Sequence, residues 1–187
     1  MTLRAAVIAG LLLFPLTAVV LLAMGRPPLC PCGTVLLWTP ADNVAESSQH
    51  IADWYAPSHV VHGLLFYFGL WLVLRSRPRP ELGFYALAIE AAWEILENTP
   101  IVIERYREAT LAMGYAGDSV INSLFDLVWT VFGILIAMRA PVWLSVTLAI
   151  ALELVALWAI RDNLALNVLM LLWPIEAIKA WQLGAPG

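Results

Sequence analysis

Charged side chains are scarce in this sequence: 13% of its 187 residues, against 61% hydrophobic. A soluble domain carries about 25% charged and about 45–50% apolar residues. With so little charge, most of the surface faces something other than water, and lipid is the usual answer. Cysteine is scarcer still. Cys30 and Cys32 are the only two, too few for a disulfide framework. Cys30-Pro31-Cys32 is also tight for an intraloop disulfide, which leaves a metal-binding pair, a redox pair or neither. There is no glycine-rich phosphate loop and no basic stripe, and the net charge is −4. Nucleotides and nucleic acid are set aside as partners on those grounds. No internal repeat and no linker divides the chain, so a single membrane domain over 1–187 is expected.

What the sequence does hold is long apolar runs. A hydrocarbon core of about 30 Å needs roughly 20 such residues per helix. The first run, Ala5 to Met24, is read as a retained helix rather than a cleaved signal peptide. It is long for a signal peptide, and Pro27-Pro28 follow it in place of a small-residue cleavage site. A polar loop covers 25–57. Further helices are expected at about 58–74, 82–103, 118–138, 142–160 and 164–181. The expected fold is therefore an all-α integral membrane bundle of about six transmembrane helices, the polar loop folded back over it. Trp38, Trp54, Trp143, Trp158, Trp173 and Trp181 fall near the ends of these runs, the level preferred by amphipathic rings. Cationic loop residues give the orientation. With the N-terminus inside, the inner face holds Arg4, Arg75, Arg77, Arg79, Arg139 and Lys179, and the outer face holds Arg26, Arg105, Arg107 and Arg161. That bias favours a bacterial inner-membrane protein with both termini cytoplasmic.

On this topology nearly every intramembrane polar group falls in the outer leaflet. His59 and His62 are i, i+3; Glu90, Glu94 and Glu97 are i, i+4, i+7; Asp118, Asn122 and Asp126 are i, i+4, i+8. Each set shares one helix face. A charge facing lipid at mid-bilayer costs at least about 2.5–3.5 kcal/mol, so the three stripes are expected to face one another. Imidazoles with carboxylates form a ligand set for zinc, manganese or iron, and helix bundles build such sites from inward Glu and His. His50, His59, His62 and Glu94 are the candidate metal ligands. Glu97, Asp118 and Asp126 are the candidate catalytic carboxylates, as general base or as groups orienting an imidazole. Arg105 and Arg107 can hold a phosphate headgroup, and with Asn122 they are the candidate substrate-binding residues. The chemistry this favours is a metal-dependent hydrolase or lipid-modifying enzyme acting on a lipid or lipid-linked substrate. Stacked carboxylates such as Glu90, Glu94 and Asp126 equally suit a proton- or cation-coupled carrier, and a structural or accessory protein is the third reading.

The same residues have structural readings. His59 and His62 can serve as interhelical hydrogen-bond donors. Glu94 and Glu97 can pair with Arg105 and Arg107. Asp118 can cap a helix, whereas Asp126, two turns further in, cannot. Glu153 stands isolated in the fifth run.

Three blocks carry a resemblance. The segment Ser48-Gln49-His50-Ile51-Ala52-Asp53-Trp54-Tyr55-Ala56-Pro57-Ser58-His59-Val60-Val61-His62-Gly63 resembles the signature of an uncharacterised bacterial multi-pass membrane family, domain-of-unknown-function family 2585. Trp93-Glu94 through Arg107 and Tyr115 through Ser123 are similar to its other two blocks. Glu46 departs from the His-Asn-type pair expected before this signature. The likeness covers roughly Gly25 to Met138; it implies inner-membrane location and no particular activity. A fainter likeness is to VanZ-like membrane proteins, in which His59, Glu94 and the Asp118–Asn122–Asp126 series would be the matching positions.

Overall fold

The computed structural model describes residues 1–41, 43, 46–109 and 115–184. These residues fold into helices joined by loops, with no strand among them: α1 Leu3–Ala23, α2 Ala56–Val73, α3 Arg79–Glu97, α4 Pro100–Ala109, α5 Val120–Arg139, α6 Val142–Ile160, α7 Leu164–Leu172 and α8 Glu176–Gln182. Parts of the expected loop 25–57 and of the segment after α4 lie outside the described residues. Four helices, α1, α2, α5 and α6, are long and apolar enough to cross a membrane.

Two of the six expected helices are each broken in two. The third run ends at Glu97, where the Asn98 amide closes on the Glu94 carbonyl, and Pro100 opens α4 as a separate helix. Proline lacks the N–H that the longer helix needs and crowds the preceding turn. Residues 104–109, expected as loop, continue α4. The sixth run breaks around Pro174, leaving α7 with nine residues and α8 with seven. At about 1.5 Å per residue neither reaches across a core of about 30 Å.

Local chemistry sets the helix starts. Pro78 and Pro80 start α3 at Arg79, three residues before its apolar run, since proline suits a first turn. Ser119 caps α5 by accepting from the Asn122 amide; Asp118, the expected cap, bonds elsewhere. Asn163 caps α7 through the Leu166 amide. Glu153, from the middle of α6, accepts from the Leu164 and Ala165 amides at 3.1 and 2.9 Å, which gives that isolated carboxylate a structural role.

The centre is α2 against α5, flanked by α3 and α1. Gly63 and Gly133 permit the crossing. A Cβ on Gly133 would stand 2.1 Å from the Val60 carbonyl oxygen, and one on Gly63 would stand 2.2 Å from that of Thr130. Close approach through small residues is the usual basis of helix association in lipid. Tyr67, Leu82, Leu87, Leu127 and Ile134 fill the interior toward one end; the polar residues gather toward the other. α6 is nearly unpacked, with Ala156 its only buried residue.

The described chain ends lie at opposite ends of the bundle. The Met1 amine pairs with Glu81 at the start of α3. Gln182, the last residue of α8, donates to the Arg161 carbonyl and to Asp162 just beyond the end of α6.

Candidate metal centre

The polar end is held shut by the loop before α2. The Ser119 amide donates to the Ser48 carbonyl, the Ser119 hydroxyl to the Gln49 carbonyl, and Asn122 Nδ2 to the His50 carbonyl. These bonds lay residues 48–50 across the first turn of α5. Asn122 is thus engaged with backbone. Asp53 closes its own turn by accepting from the Ser48 and Tyr55 amides, both at 2.7 Å.

Beneath that strap the three sequence stripes meet. Glu90 takes both imidazoles, with His59 Nδ1 at 2.6 Å from Oε1 and His62 Nδ1 at 2.9 Å from Oε2. If both Nδ1 atoms donate to that carboxylate, the Nε2 lone pairs of both rings are left free. His59 Nε2 lies 3.6 Å from Asp126 Oδ1, and His59 Nδ1 lies 3.6 Å from Glu94 Oε1. His59 is thereby common to two groups whose donor atoms lie within 4.8 Å of one another: His59 with His62 and Glu90, and His59 with Glu94 and Asp126. Both groups can hold a metal ion.

Glu94 decides between them. It is fully buried, and neither carboxylate oxygen has a hydrogen-bond partner. A buried carboxylate without a partner is strongly unfavourable, and a cation beside His59 and Asp126 would satisfy it. The donor set of one imidazole and two carboxylates suits a divalent transition metal. Glu90, already holding both rings, is suited to orienting them.

The other candidates are distributed as follows. His50 stands apart from His59 and His62, its Nε2 bonded to Glu46 at 2.9 Å; that bond pulls the Glu46 carboxyl below the usual range. Asp118 accepts from Asn98 Nδ2 and from the Tyr115 hydroxyl, both at 2.7 Å, while its amide donates to Asn98 Oδ1. Burial nonetheless pushes the Asp118 carboxyl up. Both of its oxygens are taken. Glu97 lies beside Tyr106 and Trp93 and lines the cleft described below. Arg105 Nε donates to the Leu171 carbonyl and Arg107 Nε to that of Tyr115. Among the described residues neither arginine forms an ion pair with Glu94 or Glu97, and neither lines the cleft. The guanidinium that does line it is Arg26, whose Nε is buried without a partner. Cys30 and Cys32, expected to be too close in sequence for an easy disulfide, are bonded to each other, with Cα atoms 5.1 Å apart. That separation lies within the range a disulfide spans.

His59, His62, Glu97 and Asp126 face a cleft of about 1650 Å³. The same cleft is lined by the apolar side chains of Leu65 on α2, Ile150 and Leu154 on α6, and Val168 on α7. Those four are 42–58% exposed, so the cleft opens sideways along two helices of membrane-crossing length.

A family model described as a protein of unknown function, DUF2585, matches residues 21–184. The chain belongs to this family. The match extends beyond the stretch that carried the resemblance. A UPF0314 protein of Agrobacterium fabrum is 54% identical over 180 residues, covering 96% of this chain and 90% of that relative. UPF0314 proteins of Paracoccus denitrificans and Novosphingobium aromaticivorans are 52% and 53% identical, covering 93% and 89% of this chain and 90% and 86% of their own lengths. No solved structure matches the chain.

Sequence reasoning missed the part played by Glu90. Its i, i+4 relation to Glu94 was visible, but helical spacing does not say which carboxylate meets which imidazole. Arg26 was assigned to the outer face only as a charge, and its link to the Ala116 carbonyl spans too much sequence to be read locally.

Proposed function

We propose that this member of the DUF2585 family is a membrane metalloenzyme whose centre lies in the outer leaflet and acts on a lipid or lipid-linked substrate. The observation that carries the proposal is the buried, unbonded Glu94 carboxylate beside His59 and Asp126. His59, Glu94 and Asp126 would hold zinc, manganese or iron, with Glu90 fixing both imidazoles. A divalent ion there supplies Lewis acidity toward a carbonyl or phosphoryl oxygen and activates water near neutral pH. His62 presents a free Nε2 to the cleft and Glu97 a carboxylate, so these two are the groups placed to hold or move a proton. Arg26 takes over the anion-holding role first given to Arg105 and Arg107. The cleft exceeds the roughly 300–1,000 Å³ of small-ligand pockets. Its polar end and exposed apolar wall suit an amphiphile that enters from the side, headgroup first.

The carrier reading loses weight because Tyr67, Leu82, Leu87 and Leu127 fill the bundle beyond Glu90, where a crossing path would have to run. For topology, the cationic bias places Met1 in the cytoplasm and the cleft outside in a bacterial inner membrane. α3, lined with carboxylates that face protein, is a fifth crossing. α7 and α8 then fold back on the outer side, which puts the end of α8 outside instead of inside; a reporter fused at the C-terminus and read as cytoplasmic would overturn this placement.

The activity is tested with the whole protein in mild detergent, stripped of metal and reloaded with zinc, manganese or iron. A panel of lipid carboxylic esters and phosphoesters, with and without an acyl chain, is assayed for hydrolysis. The expected result is metal-dependent turnover of chain-bearing substrates, lost in Asp126→Asn and lowered about 10²–10⁴-fold in Glu97→Gln if Glu97 is the general base. Turnover that is indifferent to metal and to Asp126 would contradict the proposal.

A further inference from the structure

A second group of donors stands outside the His59 centre, on the loop between α1 and α2. One atom each from Cys30, Cys32, Glu46 and His50 lies within 4.8 Å of the others. The two sulphurs are bonded to each other. Cys30 is buried and Cys32 exposed, so a reductant reaches the bond from the Cys32 side. His50 is 1% exposed, held by a 3.3 Å bond from the Leu36 amide to Nδ1 and by its 2.9 Å contact with Glu46 through Nε2. This imidazole is therefore positioned before any cation arrives. Two sulphurs, one imidazole nitrogen and one carboxylate oxygen make the four-donor set of a tetrahedral site, and thiolates select thiophilic cations. The His59 centre, with nitrogen and oxygen donors only, has no such preference.

We propose that reduction of the Cys30–Cys32 bond opens a second metal site, in which both thiolates, His50 and Glu46 hold a thiophilic divalent cation such as zinc. A dithiol reductant supplies two electrons and two protons. The sulphur–sulphur bond breaks, two thiols form, and the reductant closes to its own disulfide. Cation binding releases both thiol protons to solvent. The imidazole proton facing Glu46 shifts from Nε2 to Nδ1, giving up the long bond from Leu36, and Nε2 takes the cation. Cys30, Cys32 and Glu46 also line the wide cleft, so this switch places or removes a divalent charge on its wall.

The test is a cobalt(II) titration of the whole protein in detergent, oxidised or reduced with a dithiol that is removed before metal is added. The reduced protein is expected to bind one cobalt more than the oxidised protein, with a near-ultraviolet thiolate-to-cobalt charge-transfer band. Cys32→Ser, at an exposed position, should weaken that band, because Cys30 is then the one thiolate left, and Glu46→Gln should weaken the extra binding about tenfold or more. Asp126→Asn should leave the band unchanged, which separates a failure here from a failure of the His59 centre. A folded, reduced protein that shows no thiolate band at saturating cobalt, or equal cobalt uptake in both redox forms, would overturn the proposal.

Discussion

Glu94 and Glu90 are one helical turn apart and live in opposite circumstances. Both Glu90 oxygens are engaged by imidazole nitrogens, whereas neither Glu94 oxygen has a hydrogen-bond partner, and both residues are fully buried. Leaving a buried acceptor unsatisfied costs about 1–3 kcal/mol, more when it is charged. Glu94→Met removes both unpartnered oxygens at nearly the same volume. In metal-free protein the substitution is expected to raise stability by about 1–3 kcal/mol. It should also abolish the stabilisation that added metal gives the parent, about 2.7 kcal/mol at a metal concentration of 100 Kd. Thermal unfolding in detergent, with and without metal, reads both effects. A variant less stable than the parent without metal, yet still stabilised by it, would show that Glu94 is structural. Glu90→Gln cannot accept from two N–H groups equally well, and it serves as the destabilised contrast.

At the scale of helices, α2 against α5 carries the site, because His59 and His62 on one face Asp126 on the other. Their separation depends on two glycines whose added Cβ atoms would meet backbone. Gly133→Ala is expected to destabilise the protein by about 3 kcal/mol, the upper part of the overpacking range. It should also loosen metal binding, since the helices must part at Val60, the residue that follows His59 on α2. Gly69→Ala, with nothing within 4 Å of its added Cβ, is the control and should be neutral or slightly stabilising. Equal effects at both positions in a thermal-unfolding assay would count against the close crossing. Much of this was legible in the sequence. Apolar run length gave the long helices, and the i, i+3 and i, i+4 spacings marked the faces that carry His59, Glu94 and Asp126. The break at Pro100 was legible from the proline itself, as a kink or end of the third run; the one at Pro174 was harder to read, since apolar Trp173 and Ile175 flank it. Loop residues were harder still. No periodicity fixes where His50 lies, so it was grouped with the helical histidines although the fold holds it against Glu46 and the cysteines.

For the whole molecule, polarity is divided lengthwise. Apolar packing among Tyr67, Leu82, Leu87 and Leu127 fills one part of the interior, and carboxylates and imidazoles fill the other. Buried Asp162 ties the second part together by accepting from Tyr55, Asn167 and Gln182, which join the starts of α2 and α7 to the end of α8. Burial pushes the Asp162 carboxyl up while these donors hold it partly down. Its location at the rim, rather than in the cleft, marks it as a fastening for the α6–α7 turn. The exposed apolar faces of α1 and α6 would be a liability in water and suit lipid. A one-sided polar site beneath a strapped loop, open along α2 and α6, suits the proposed centre, which would receive its substrate from the membrane.

Everything proposed for that centre depends on the presence of a metal. The most direct measurement is elemental analysis of the oxidised protein, purified in mild detergent without a metal-affinity tag, beside folded His59→Ala and Asp126→Asn variants. About one zinc, manganese or iron per chain in the parent, lost in both variants, is the predicted result. An absence of metal in the parent even after reloading, or metal retained by both variants, would contradict it and leave the His–carboxylate cluster as a structural network.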